Sequence, residues 1–174
     1  MKKAALLLAM VSLVFMGFKG SGSELSVAGN YHLFNIDRSR SADIVMYDVN
    51  LDNDGILNQK RPIRAYWIKR TENDQLQPLT LIQEKLGYGL DFNYVTDDVC
   101  QFEFVSSTVK TFELRKNETN TYKVYTTSNQ TNIEVNSIYV KFANESLWFP
   151  VVGEVELHGI DTESGKPVIE IFYP

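Results

Sequence analysis

The sequence predicts an all-β domain, an antiparallel β-sandwich first and a small lipocalin-like β-barrel as the alternative. Three observations carry this. Apolar residues recur with period two along most of the chain. Turn residues interrupt them at intervals of roughly 10 to 15 residues, the rhythm of sandwiches and barrels. A single segment, residues 78–86, has helical spacing instead.

The chain opens with Met1-Lys2-Lys3, an apolar run from Ala4 to Phe18, and the small-residue stretch Gly20-Ser21-Gly22-Ser23. A basic start, an apolar centre and a small-residue tail are the parts of a secretory signal peptide. The run falls short of the roughly 20 residues a membrane-spanning helix needs. Cleavage is therefore expected near residue 23. Residues 24–174 form a single all-β domain on this reading, with no membrane span after cleavage.

The strand pattern begins with Val45, Tyr47, Val49 and Leu51 on one face. Ile63, Ala65 and Trp67 follow, with Arg64 and Tyr66 opposite. Phe112 and Leu114 alternate with Glu113 and Arg115, and Val155 and Leu157 with Glu154, Glu156 and His158. Ile169, Ile171 and Tyr173 close the chain. Such alternation gives each strand one face for a core and one for water. Between the strands lie Asp52-Asn53-Asp54-Gly55, Glu72-Asn73-Asp74, Lys116-Asn117, Ser128-Asn129 and Glu163-Ser164-Gly165-Lys166-Pro167, all rich in turn-forming residues. One strand changes parity: Ile133 and Val135 share a face, but Ile138, Val140 and Phe142 share the other. An extra residue near Asn136-Ser137 accounts for this, as a bulge or a crossing between sheets.

The helical segment is Gln77-Pro78-Leu79-Thr80-Leu81-Ile82-Gln83-Glu84-Lys85-Leu86-Gly87. Pro78 suits a first-turn position and Gly87 a C-terminal stop. Leu79, Ile82 and Leu86 would form one apolar stripe, packed across an open end or face of the β core.

The chain carries 17 Lys and Arg against 22 Asp and Glu, a formal charge of −5. Loss of Lys2, Lys3 and Lys19 with the leader takes this to −8. An acidic surface repels phosphate backbones, which argues against a nucleic-acid partner. Cys100 is the single cysteine, so no intrachain disulfide can form. It alternates with Phe102 and Phe104, as a small buried hydrophobe would. Three sequons, at Asn117, Asn129 and Asn144, read as turn markers.

Several segments together resemble the DUF4833 family. They are Leu33-Phe34-Asn35-Ile36-Asp37-Arg38-Ser39, Val45-Met46-Tyr47-Asp48-Val49-Asn50, Pro62-Ile63-Arg64-Ala65-Tyr66-Trp67-Ile68, Ile82-Gln83-Glu84-Lys85-Leu86-Gly87-Tyr88-Gly89 and the C-terminal His158-Gly159-Ile160-Asp161 through Val168. The resemblance covers roughly residues 32 to 174. It implies an exported bacterial protein of a family whose function is not established, and brings no catalytic residues with it.

Asn50, Asp52 and Asp54 followed by Gly55 look like the first half of a calcium loop. The twelfth position of such a loop supplies a bidentate acid. Here it is Arg61, which opposes a metal, so the segment reads as a hairpin turn. Arg38, Tyr47, Tyr66, Trp67, Gln83 and Tyr88 form a better candidate site. They combine stacking faces with directed hydrogen-bond groups, which suit a glycan or small polar ligand. In the competing reading, Trp67 fills the core and Arg38 pairs with Asp37, Asp43 or Asp48. Asp97-Asp98 and Glu154 with Glu156 could serve as a glycosidase pair only if they faced each other across a bound sugar, about 5 or about 6.5–9.5 Å apart. No nucleophile, phosphate-loop or zinc signature is present. Neither a catalytic residue, a metal site nor a cofactor is assigned.

The expectation is therefore an exported, non-catalytic binding or envelope-accessory domain in the periplasm or at the cell surface of a bacterium. Its partner would be a glycan, a small polar ligand or an envelope protein. A carboxylate-based glycan hydrolase is the alternative. Facing acids in a cleft would favour hydrolysis; a concave surface lined by aromatics and arginine without them would favour binding.

Overall fold

The computed structural model describes residues 31–144 and 151–173. The leader expected at residues 1–23, and Glu145 and Ser146 of the third sequon, lie outside them.

Strands form where the period-two runs fall. In order they are β1 (His32–Arg38), β2 (Ser41–Val49), β3 (Ile63–Lys69), β4 (Gln75–Pro78), β5 (Leu90–Val95), β6 (Val99–Phe104), β7 (Ser107–Lys116), β8 (Tyr122–Ser128), β9 (Thr131–Phe142), β10 (Val152–Asp161) and β11 (Pro167–Phe172). All belong to one curled, mixed sheet that forms a half-barrel. The turn residues act as the sequence implies. Gly55 takes φ 77° and its N–H donates to the Asp52 carbonyl at 2.9 Å, closing the 52–55 turn. Asn129 and Gln130, at φ 46° and 68°, make the two-residue β8–β9 hairpin.

β9 organises the sheet. One of its edges pairs with β10 along almost its full length. The other is shared: residues 131–134 pair with β8, and Ser137–Val140 pair with β1. The sheet thus forks into two wings, β1–β4 and β5–β8, that meet along β9. The fork lies at the parity change. Ser137 pairs with His158 and Val135 with Gly159, so Asn136 is an extra, bulged residue. Gly159 is required opposite it, because a Cβ there would strike the Glu134 carbonyl and the Ile133 side chain. The fork also corrects the expectation of a purely antiparallel sheet: β1 and β9 run parallel.

Both wings face one aromatic core. Phe34 stacks on Tyr47 with centroids 4.5 Å apart, and Phe104 meets both edge-on at 6.2 and 5.8 Å. Phe102 and Phe112 stack at 5.4 Å and continue the cluster. The chain end departs from its expected packing. Val155 and Leu157 face inward, and their partners Phe172 and Glu170 do the same. Ile169, Ile171 and Tyr173 therefore point outward and are exposed.

The helix differs from the one expected over 78–86. Pro78 ends β4, and Leu79 is buried before the helix begins. Thr80 is the N-cap, closing a capping box with Gln83: the Gln83 N–H donates to Thr80 Oγ1 at 3.3 Å and the Thr80 N–H to Gln83 Oε1 at 2.9 Å. A short α1 (Leu81–Gln83) runs into a π-helical turn (Glu84–Tyr88). The apolar stripe of Leu79, Ile82 and Leu86 does not form: Leu79 is buried ahead of the helix, and Ile82 and Leu86 are 71% and 75% exposed. Residues 81–88 make a strap pinned to both wings. On one side Trp67 Nε1 donates to Gln83 Oε1 at 3.2 Å, and Arg61 pairs with Glu84 at 2.6 Å. On the other, Ser106 Oγ donates to the Gly87 carbonyl at 2.8 Å and the Val105 N–H to that of Gly89 at 3.1 Å.

Candidate functional site: a cavity beneath the strap

The strap and the concave face of the sheet border a half-open cavity of about 790 Å³. Its size lies within the roughly 300–1,000 Å³ of small-molecule sites. Phe104, Phe112, Ile138, Val140, Phe142 and Phe172 supply apolar wall, and Arg38, Trp67, Gln83 and Tyr88 form one end. Strand register explains the gathering. Ile36 and Arg38 share a face of β1, while Ile138 and Val140 stand beside them on β9. The described lining includes Lys110 and Arg38 but no Asp or Glu.

Four of the six residues singled out from the sequence thus meet. The Arg38 guanidinium lies 4.4 Å above the Trp67 ring and 5.9 Å from that of Tyr88. Its Nη1 donates to Tyr88 Oη at 3.2 Å. The two rings meet edge-on at 5.2 Å. Gln83 Oε1 accepts from both Trp67 Nε1 and the Thr80 N–H, which fixes the amide orientation and turns its NH₂ away from them. Trp67 is core and cavity wall together, only 3% exposed.

The other two differ. Tyr47 is fully buried beneath the site, and its hydroxyl donates to the Tyr88 carbonyl at 2.8 Å. Burial raises its phenol well above the usual range. It holds the strap in place and has no surface to offer a ligand. Tyr66 alternates with Trp67 and so faces away from the cavity. Its hydroxyl donates to buried Asp48 at 2.8 Å. Burial, then this bond, pushes its phenol up. Period two identifies residues that share a face, but not which face is concave.

Arg38 has none of the acidic partners the sequence offered. Asp37 accepts from Asn35 at 2.6 Å. Asp43 takes Lys69 at 3.0 Å and Thr71 at 3.3 Å. Asp48 takes Tyr66, with His32 at 3.4 Å. The Arg38 Nε is shielded from solvent and has no hydrogen-bond partner among the described residues.

Lys110 escaped the sequence reading. It lies 2.8 Å from Glu170 and 5.8 Å from the Phe172 ring centroid, which draws β7 towards β11. A signal existed: Lys110, Phe112 and Leu114 share a parity, so a lysine stood on an apolar face. The aromatic wall could not be found that way, since it is assembled from strands distant in sequence.

The remaining candidates lie elsewhere. Asp98 pairs with Lys116 at 2.7 Å, Glu154 with Lys141 at 3.5 Å, and Glu156 with His158 at 2.9 Å. Asn58 Nδ2 donates to Asp52 within the 52–58 loop at 2.7 Å. Among the described residues no three His, Cys, Asp or Glu side chains converge as metal ligands would, and no helix is long and apolar enough to cross a membrane. Cys100 is fully buried, and burial pushes its thiol up to about 12.

Fold and site together define a β half-barrel with a strapped, largely apolar cavity and the Arg38–Trp67 stack at one end of it. The chain belongs to the DUF4833 family: the family model, described as a domain of unknown function, matches residues 34–171. No curated protein and no solved structure matches the chain.

Proposed function

We propose that this protein is an exported, non-catalytic binding domain of the bacterial envelope that holds a small amphipathic ligand in the cavity beneath the strap. One observation carries the reading: Arg38, stacked on Trp67 and free of acidic partners among the described residues, stands at the end of an apolar cavity of about 790 Å³. An apolar body with a few directed polar groups is what such a site selects. The curled sheet fits an open, lipocalin-like cup better than a sandwich, whose two inner faces would interdigitate and fill this space. Export rests on the basic, apolar and small-residue segments of the N-terminus. The hydrolase alternative has less support, because no Asp or Glu is among the described residues lining the cavity, and Asp98 and Glu154 are each held by a lysine.

A thermal-shift panel of glycans, cell-wall fragments and amphiphiles on the purified protein tests the reading. A ligand at about 100 times its dissociation constant adds roughly 2.7 kcal/mol, or about 5–10 °C for a domain of this size. One class should give such a shift, and Val140→Trp, which fills the cavity, should erase it. If no member of the panel shifts the midpoint, or Val140→Trp leaves the shift intact, the cavity is not the site. Recovery of the chain only from the cytoplasm of a bacterial host would contradict export.

A further inference from the structure

Resting on the binding reading above, we propose that the ligand is an amphiphile with a single carboxylate head, such as the anion of a long-chain fatty acid. The head is held by Arg38 and the tail lies along the phenylalanine wall.

The charges facing the cavity set the head. Two cations line it, but Lys110 is already balanced by Glu170 at 2.8 Å. No carboxylate lies within ion-pair distance of Arg38 among the described residues; Asp37 and Glu156 line a second, more open pocket that Arg38 also reaches. The single Arg38 hydrogen bond within the described residues goes to a neutral hydroxyl, and its Nε is shielded from water without an acceptor. The guanidinium N–H groups not used on Tyr88 are the donors it can offer a ligand. Stacking on Trp67 fixes the plane of the guanidinium, and its fork matches a carboxylate with two parallel hydrogen bonds. A single charge balances a monoanion. A dianion would bring one charge too many into an apolar space, and the acidic chain repels polyanions.

The lining sets the tail. A sugar demands many directed hydrogen bonds, and few polar groups of the lining are free to make them. Ser106 Oγ is spent on the Gly87 carbonyl and Gln83 Oε1 on two N–H donors. The rest of the wall is mostly aliphatic and aromatic. Ile82 and Leu86, on the strap, line the cavity yet remain 71% and 75% exposed, an apolar approach for a hydrocarbon chain.

Calorimetric titration with three probes sharing one tail, each below its micelle concentration, tests this: laurate, monolaurin and dodecyltrimethylammonium. Laurate should bind at least roughly tenfold more tightly than the cation, with neutral monolaurin between them. Arg38→Gln should weaken laurate by roughly ten- to hundredfold, the worth of a charge-assisted bond, and leave monolaurin nearly unchanged. If the variant does not fold, the probe series on the unaltered protein decides alone. Equal binding of all three overturns the carboxylate assignment while the binding reading stands, as does an Arg38→Gln variant that keeps its laurate affinity. If none of the three binds, the amphiphile is wrong. A glycan that still shifts the midpoint would then preserve a binding function with a different ligand.

Discussion

Asp43 illustrates how ion pairs are apportioned at the end of the sheet. Its carboxylate is mostly buried and takes Lys69 at 3.0 Å. That hydrogen bond holds its carboxyl below the usual range; burial opposes the effect and Thr71 adds to it. A carboxyl lowered on folding contributes stability above its unfolded value of about 3.9, and the contribution is lost as pH falls through the folded value. Asp43→Asn should therefore cost about 1–3 kcal/mol at neutral pH, the range of a charge-assisted bond. The gap between variant and parent should close progressively below about pH 3.9. Urea unfolding at several pH values reads this directly; a gap that stays constant to pH 2 would mean the carboxylate's charge contributes nothing. The same apportionment is why Arg38 could not be assigned from sequence. Asp37, Asp43 and Asp48 are all near it in the chain, but strand parity and cross-strand register decide which partner each one meets.

The strap is the element that turns an open sheet face into a covered cavity, and its closure depends on one glycine. A Cβ on Gly89 would land on the Glu84 carbonyl within the π-helical turn, whereas one on Gly87 would meet nothing within 4 Å. Gly89→Ala should displace the strap and cost about 1–3 kcal/mol, while Gly87→Ala should stay within about 0.5 kcal/mol of the parent. Paired melting curves check both; equal midpoints would show that the strap is not held by this contact. Much of this level was legible beforehand. The parity change between Val135 and Ile138 marked the bulge that divides the sheet. The pair Thr80 and Gln83 carried the capping box that fixes where the helix begins, but Pro78 drew the expected start three residues too early. The end of the chain misled for another reason. Ile169, Ile171 and Tyr173 alternate as a core face would, yet the inward positions of β11 belong to Phe172 and Glu170, because cavity and Lys110 lie on that side. Alternation is symmetric between two faces, and only tertiary contacts break the symmetry.

At the scale of the whole molecule, two wings share β9 and β10 but approach each other mainly through side chains. Phe104 is central among these. From β6 it reaches Phe34 on β1 and Tyr47 on β2, and it also packs on Phe112 of β7 with centroids 5.4 Å apart. If that cluster unites the wings, the molecule unfolds as a single cooperative unit rather than as two. Phe104→Ala should then cost about 3–5 kcal/mol, the usual penalty for emptying a buried aromatic position. Amide hydrogen exchange should accelerate to a similar extent in β1–β3 and in β6–β8. A loss of protection confined to β5–β8 would mean that the wings open separately and that β9 alone joins them. The cavity would then lie between two independently fluctuating halves. On the binding proposal, affinity would then be limited by the cost of bringing them together, and the proposed ligand would have to raise protection in both wings at once.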